Sequence, residues 1–117
     1  MYRILIAEDE PRIAAFMEKG LRRSGFSTVV ASDGNFVLEA IINNGFDLLL
    51  LDLGLPGKDG QEVLVEMRKQ GIMLPVIIVT ARSMDLRNSE LQTLANDIVS
   101  KPFLMRALLA KVRSLLE

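Results

Sequence analysis

Apolar residues fall along this chain in two alternating patterns. Short, nearly continuous runs occur at Arg3-Ile4-Leu5-Ile6-Ala7, Thr28-Val29-Val30-Ala31, Leu48-Leu49-Leu50-Leu51, Val76-Ile77-Ile78-Val79 and Ile98-Val99. Continuous apolar runs of this length mark strands buried on both faces, and the β-branched fourth run suits a pleated surface. Between the runs, apolar residues return at helical spacing. Ile13, Phe16, Met17 and Leu21 predict a first helix closed by Gly25. Asp33 can cap a second helix carrying Val37, Ala40 and Ile41, which stops at Asn44-Gly45. Val63, Leu64 and Met67 predict a third helix ended by Gly71. A polar helix follows from about Met84 to Leu94, and the last carries Leu108, Leu109, Val112, Leu115 and Leu116. Five strand–helix alternations call for an α/β fold of three layers, a doubly wound five-stranded parallel sheet with helices on both faces.

Composition narrows the class. At 117 residues with 50% apolar content, the chain is one domain with a core of its own. Lys and Arg number 14 against 15 Asp and Glu, a net charge of -1. No generally basic surface is left over for a nucleic-acid backbone, and no acidic disordered tail is indicated. Cysteine and histidine are absent. That removes disulfides, zinc-thiolate sites, thiol nucleophiles and the commonest general base. No apolar stretch approaches the length of a membrane span, and Met1 leads directly into an apolar run rather than a signal peptide. A soluble cytoplasmic protein is the expectation.

In a parallel sheet of this kind, ligands bind beyond the carboxyl ends of the strands. Here the first strand ends in Glu8-Asp9-Glu10, the third in Asp52, the fourth in Thr80 and the fifth in Lys101. Any one of them alone reads as a helix cap or a solvated loop residue, and Glu10 is best read as one of these. Together they bring carboxylates, a hydroxyl and an ammonium to one edge. Clustered carboxylates without histidine suit a hard divalent cation such as Mg2+. A cation beside a Lys and a Thr is an arrangement that binds a phosphoryl group.

Four stretches carry a resemblance: Ile4-Leu5-Ile6-Ala7-Glu8-Asp9-Glu10, Leu51-Asp52-Leu53-Gly54-Leu55-Pro56-Gly57-Lys58-Asp59-Gly60, Val79-Thr80-Ala81-Arg82 and Lys101-Pro102-Phe103. Together they resemble the receiver domain of bacterial two-component response regulators. The Asp52-to-Pro56 and Thr80-to-Arg82 stretches look most like the winged-helix regulators of the OmpR/PhoB type. The resemblance implies sheet order 2-1-3-4-5 and a cis Lys101-Pro102 bond. It implies Asp52 as the acceptor of a phosphoryl group from a phosphohistidine on a sensor histidine kinase. Asp9, Asp52 and the Gly54 carbonyl would ligate Mg2+, with Glu8 acting through water. Thr80, the Ala81 backbone N–H and Lys101 would bind the phosphoryl oxygens. Thr80 would then move, and the face of helix four, strand five and helix five would change its partner preference. With Met1 at its head, the chain is expected to be the N-terminal module, residues 1–117, of a longer regulator with a DNA-binding output domain. The receiver itself would touch neither nucleic acid nor membrane.

Several positions depart from the family pattern. Ile98 stands where relatives often carry a Tyr, Phe or His that rotates inward with Thr80. As a half-buried strand residue it needs no further role, yet it marks where the switch would differ. The segment from Thr80 to Lys101 is a residue short, and Leu94-Ala95-Asn96-Asp97 lacks the usual Gly. Asn96 is the best substitute for a left-handed cap, so helix four is expected to be shortened, shifted or poorly ordered. Asp97, Lys111 and Arg113 could supply salt bridges to a second copy across that face, although Ala107 replaces a common Glu. Competing readings are a stand-alone or kinase-attached relay receiver and a pseudo-receiver that no longer responds to phosphorylation. A phosphatase on a similar fold would need an acid two residues after Asp52, where Gly54 stands. Neither Gly54 nor Arg82, which flank the phosphoryl site, can orient an attacking water. Self-dephosphorylation is therefore expected to be slow. Following loss of the adduct at neutral pH checks this, and a half-life of seconds would refute it.

Overall fold

A computed structural model describes residues 1–81 and 89–117, with Ser89 described by its backbone alone. Strands β1 (Arg3–Ala7), β2 (Ser27–Ala31), β3 (Leu48–Leu51), β4 (Val76–Thr80) and β5 (Asp97–Ser100) alternate with helices α1 (Pro11–Arg23), α2 (Gly34–Asn43), α3 (Gly60–Lys69), α4 (Ser89–Leu94) and α5 (Met105–Leu116). All strand pairings are parallel, in the order β2-β1-β3-β4-β5. The expected order is the observed one, and the Lys101-Pro102 peptide is cis.

Successive strand residues point to opposite faces. Leu5, Leu49, Leu51 and Ile78 therefore meet Val37, Val63, Leu64, Met67 and Leu91 of α2, α3 and α4. Ile4, Ile6, Leu48, Leu50, Ile77 and Val79 meet Met17, Leu21, Leu108 and Val112 of α1 and α5. This two-sided burial explains why the central strands read as unbroken apolar runs.

Helix ends follow local chemistry. Glu10, Asp33 and Asp59 cap α1, α2 and α3, their carboxylates accepting from the N–H groups of Arg12, Asn35 and Gln61 at 3.4, 2.7 and 2.9 Å. Gly25 and Gly71 follow α1 and α3 with φ of 93° and 78°, the left-handed region that glycine enters without strain.

Helical spacing along α1 left its inward face open, and one expectation, the cap at Asn96, needs correction. The inward stripe of α1 is Ala14, Met17 and Leu21, whereas Phe16 is 50% exposed. Asn96 does not form a left-handed cap, since among the described residues only glycines have positive φ. Its N–H instead donates to Val76 O at 2.8 Å, and its Oδ1 accepts from Val76 N at 2.9 Å. The Arg68 guanidinium donates to Leu94 O at 3.0 Å, Ile72 O at 2.7 Å and Asn96 Oδ1 at 3.4 Å. A side-chain fork from α3 thus serves where a glycine was expected. As described, α4 is only six residues long. The part of the expected helix between Met84 and Asn88 lies outside the described residues.

Truncating Leu64, fully buried on α3, should destabilise the fold by about 2–5 kcal/mol as Leu64→Ala. Phe36→Ala, at a half-exposed α2 position, should fall within about 0.5 kcal/mol of the parent. Urea unfolding of both variants checks the contrast.

Candidate functional site

Parallel strands deliver their carboxyl ends to one edge, and β1 and β3 are neighbours there. Glu8 follows β1, Asp52 follows β3, Thr80 closes β4 and Lys101 follows β5. Backbone bonds continue the sheet one residue past the strands. Glu8 N donates to Ala31 O, Asp52 N to Ala7 O and Lys101 N to Thr80 O, each at 3.0 Å. The residues that carry chemistry are therefore fixed by the ladder rather than by free loops.

The Lys101 ammonium sits 2.6 Å from Glu8 Oε1 and 3.1 Å from Asp52 Oδ2. Glu10 N donates to Glu8 Oε2 at 3.1 Å, and Gly54 N donates to Asp52 Oδ1 at 3.2 Å. Glu8, Asp52 and Thr80 are buried, while Asp9 faces solvent. One carboxylate oxygen from each of Glu8, Asp9 and Asp52 lies within 4.8 Å of the other two. Ala81, just beyond Thr80, is exposed at the same edge.

Burial pushes the Glu8 carboxyl above its ordinary value, and the negative charge of Asp52 adds to this. The hydrogen bonds from Lys101 and the Glu10 N–H only partly offset it. Burial pulls the Lys101 ammonium down, but its hydrogen bonds to Glu8 and Asp52, with their charges, outweigh that and hold it above the usual lysine range. Lys101 is thus a fixed cation facing more carboxylates than it can neutralise. Three oxygen donors within reach of one ion, with negative charge to spare, fit a hard divalent cation.

Next to this cluster lies an apolar groove of about 450 Å³ that the sequence reading did not identify. Arg12, Ile13, Phe16, Ala81, Pro102 and Phe103 line it with the Lys101 stem. Its signal was the off-stripe Phe16, whose ring meets Phe103 at a centroid distance of 6.0 Å.

On the far side of the sheet edge, Ile98 pairs with Ile78 of β4 and packs half-buried against the core beneath α4. Asp97 is already held within the chain, by Lys111 Nζ at 3.0 and 3.1 Å, while Arg113 and Ala107 are exposed. Arg82 lies outside the described residues.

Removing the ammonium leaves Glu8 buried beside Asp52 without a counterion. Without divalent cations, Lys101→Met should cost about 3 kcal/mol at neutral pH, as for other broken buried pairs. Losing Lys101 drives the folded-state value of Glu8 further above its ordinary 4.5. The folded variant then holds this proton more tightly than the unfolded chain does. The deficit is smallest below the ordinary carboxylate value and grows as pH rises through the raised one. Urea unfolding across that range, with a chelator present, measures it.

Comparison with known proteins places the chain. Residues 4–113 match the family model described as the response regulator receiver domain. The transcriptional regulatory protein YkoG of Bacillus subtilis is 42% identical over 114 residues, covering 97% of this chain and 50% of that protein. The response regulator protein PmrA of Pseudomonas aeruginosa is 39% identical over 114 residues, covering 97% and 52%. This chain therefore spans about half the length of the curated relatives it matches. The response regulator protein TrrA of Thermotoga maritima, solved in complex with Mg2+-BeF, superposes with a TM-score of 0.90 at 33% identity, over 98% of this chain and 99% of that one. Family model, relatives and fold agree, and the chain belongs to the response regulator receiver domain family.

Proposed function

We propose that Asp52 accepts a phosphoryl group from the phosphohistidine of a sensor histidine kinase, so that the domain acts as a switch rather than a turnover enzyme. The observation that carries this reading is the Lys101 ammonium joined to both Glu8 and Asp52 at the converging strand ends. Asp9, Asp52 and the Gly54 carbonyl would hold Mg2+, with Glu8 acting through water. The Mg2+-BeF complex of TrrA supports a cation at this edge. When bound, the cation would neutralise charge on the phosphoryl oxygens.

The steps assigned to this chain are few. An Asp52 carboxylate oxygen forms the new bond to phosphorus as the phosphorus–nitrogen bond breaks, and the imidazole leaves with that electron pair. Lys101, already charged and facing Asp52, holds a phosphoryl oxygen. Thr80 and the Ala81 N–H supply further hydrogen bonds to the transferred group. Phosphorylation gives Asp52 new charge and strong acceptor oxygens, and drawing Thr80 toward them would shift the face of α4, β5 and α5. Ile98 offers no polar tip on that face, so its packing rather than a hydrogen bond would register the change.

The output would be a DNA-binding domain of the same cytoplasmic protein, as the transcriptional regulators among the relatives suggest. A homodimer through α4, β5 and α5 would have to exchange the internal Lys111–Asp97 pair for one across subunits. Such half-exposed pairs are each worth about 0–1 kcal/mol, so this exchange adds little to a dimer. Among the described residues no helix is long and apolar enough to cross a membrane.

Incubation with acetyl phosphate and Mg2+, followed by intact-mass measurement, should give a single phosphoryl adduct. Omitting Mg2+, or substituting Asp52→Asn, should abolish it. A folded wild-type protein that takes no adduct would instead support the pseudo-receiver.

A further inference from the structure

The loop from Asp52 to Asp59 carries both Asp52 and Gly54, and its ends are tightly fixed. Gly60 N donates to Leu53 O at 2.9 Å, and a Cβ on Gly60 would stand 2.3 Å from Asp52 O. The middle of the loop is held from another direction, by the two residues that begin α2. Gly34 N donates to Pro56 O at 3.0 Å. A Cβ on Gly34 would stand 1.8 Å from Lys58 O and 2.6 Å from Lys58 C. Both are backbone atoms, so no rotamer change can make room. Gly57 has a φ of 76°, and a Cβ there would meet the Asp33 carboxylate oxygens at 2.3 and 2.5 Å. The loop and the start of α2 are therefore docked backbone to backbone at Gly34, while at Gly57 the Asp33 carboxylate and the left-handed φ together disfavour a side chain. Helix capping alone explains Asp33, but it does not explain why Gly34 must lie against the loop that leaves Asp52.

We propose that Asp33 and Gly34 are positioning residues for the cation site: they brace residues 56–58 and so fix the backbone at Gly54 relative to Asp52. This rests on the cation reading given above. The brace acts two residues from Gly54, through the buried Leu55, and touches none of the carboxylates. Groups that orient ligands without binding the ion commonly change affinity by about 10–100-fold when altered.

Calorimetric titration with MgCl2 tests the brace. The wild type, Gly34→Ala and Gly45→Ala are compared, Gly45 having nothing within 4 Å of an added Cβ. Gly34→Ala should bind Mg2+ at least about tenfold more weakly, with Gly45→Ala unchanged. Phosphorylation of Gly34→Ala by acetyl phosphate should reach the wild-type extent once Mg2+ is raised. A role confined to stability would lower the unfolding temperature and leave affinity, measured well below it, as in the wild type. Should Gly34→Ala not unfold cooperatively, Asp33→Gly carries the test. It keeps a residue tolerated at a helix cap and removes the carboxylate beside Gly57, and it should weaken Mg2+ binding several-fold. Wild-type affinity in the folded variants overturns the brace. Flat titrations for every protein, the wild type included, overturn the cation reading and the brace with it.

Discussion

The clasp between Lys101 and two carboxylates is the interaction on which the site's geometry depends. A parallel sheet gathers strand ends at one edge, and here that places Glu8 and Asp52 in a largely water-excluded space. Two buried carboxylates at this range repel, and burial penalises each charge. Lys101 reaches from the end of β5, past β4, to oxygens that follow β3 and β1. Its contacts span 93 and 49 residues of chain, so they form only once the whole sheet is assembled. The site is in this sense a product of the topology, and its charge balance is a condition for closing that edge.

The layers beneath make the clasp rigid. Leu51 and Ile78, fully buried, pack below Asp52 and Thr80 against α3 and α4. Helix α3 begins so close to the site that Gly60 has backbone of Asp52 where a side chain would be. Close-packed interiors of this sort transmit displacement rather than absorb it. A change in what Asp52 carries would accordingly be felt at the first turn of α3 and along β4.

Most of this was legible in the sequence because two-sided burial writes itself plainly. The three central runs, within β1, β3 and β4, are apolar throughout because both faces are covered, and Glu8, Asp52, Thr80 and Lys101 stand at or just past the ends of β1, β3, β4 and β5. The pattern was less informative where one period admits two solutions. Along α1, Phe16 and Met17 both fit helical spacing, and only packing against β1 and α5 decides for Met17 and leaves Phe16 beside the groove. Asn96 was misread for a different reason. A helix end can be satisfied by local backbone geometry or by a distant side chain, and the sequence near Asn96 gives no sign of Arg68, 28 residues away. The internal Lys111–Asp97 pair was equally invisible, since a charge on β5 looks the same whether its partner lies in the same chain or another.

The face formed by α4, β5 and α5 is consequently held by unlike contacts at its two ends. At the end away from the site, the Arg68 guanidinium and the Asn96 side chain tie α4 and the start of β5 to α3 and β4 with several hydrogen bonds. At the site end, β5 leaves the sheet through Lys101, whose N–H binds Thr80 O while its ammonium binds the carboxylates. The Arg68 and Asn96 bonds end on neutral carbonyl and amide oxygens, whereas the Lys101 clasp joins a cation to two carboxylates and so answers most directly to charge placed at Asp52. On the proposed reading, a phosphoryl group at Asp52 would perturb one end of this face directly and leave the other anchored. A segment held at one end and released at the other would tilt instead of sliding, and Ile98, half-buried between the two, would register that tilt as altered packing beneath α4.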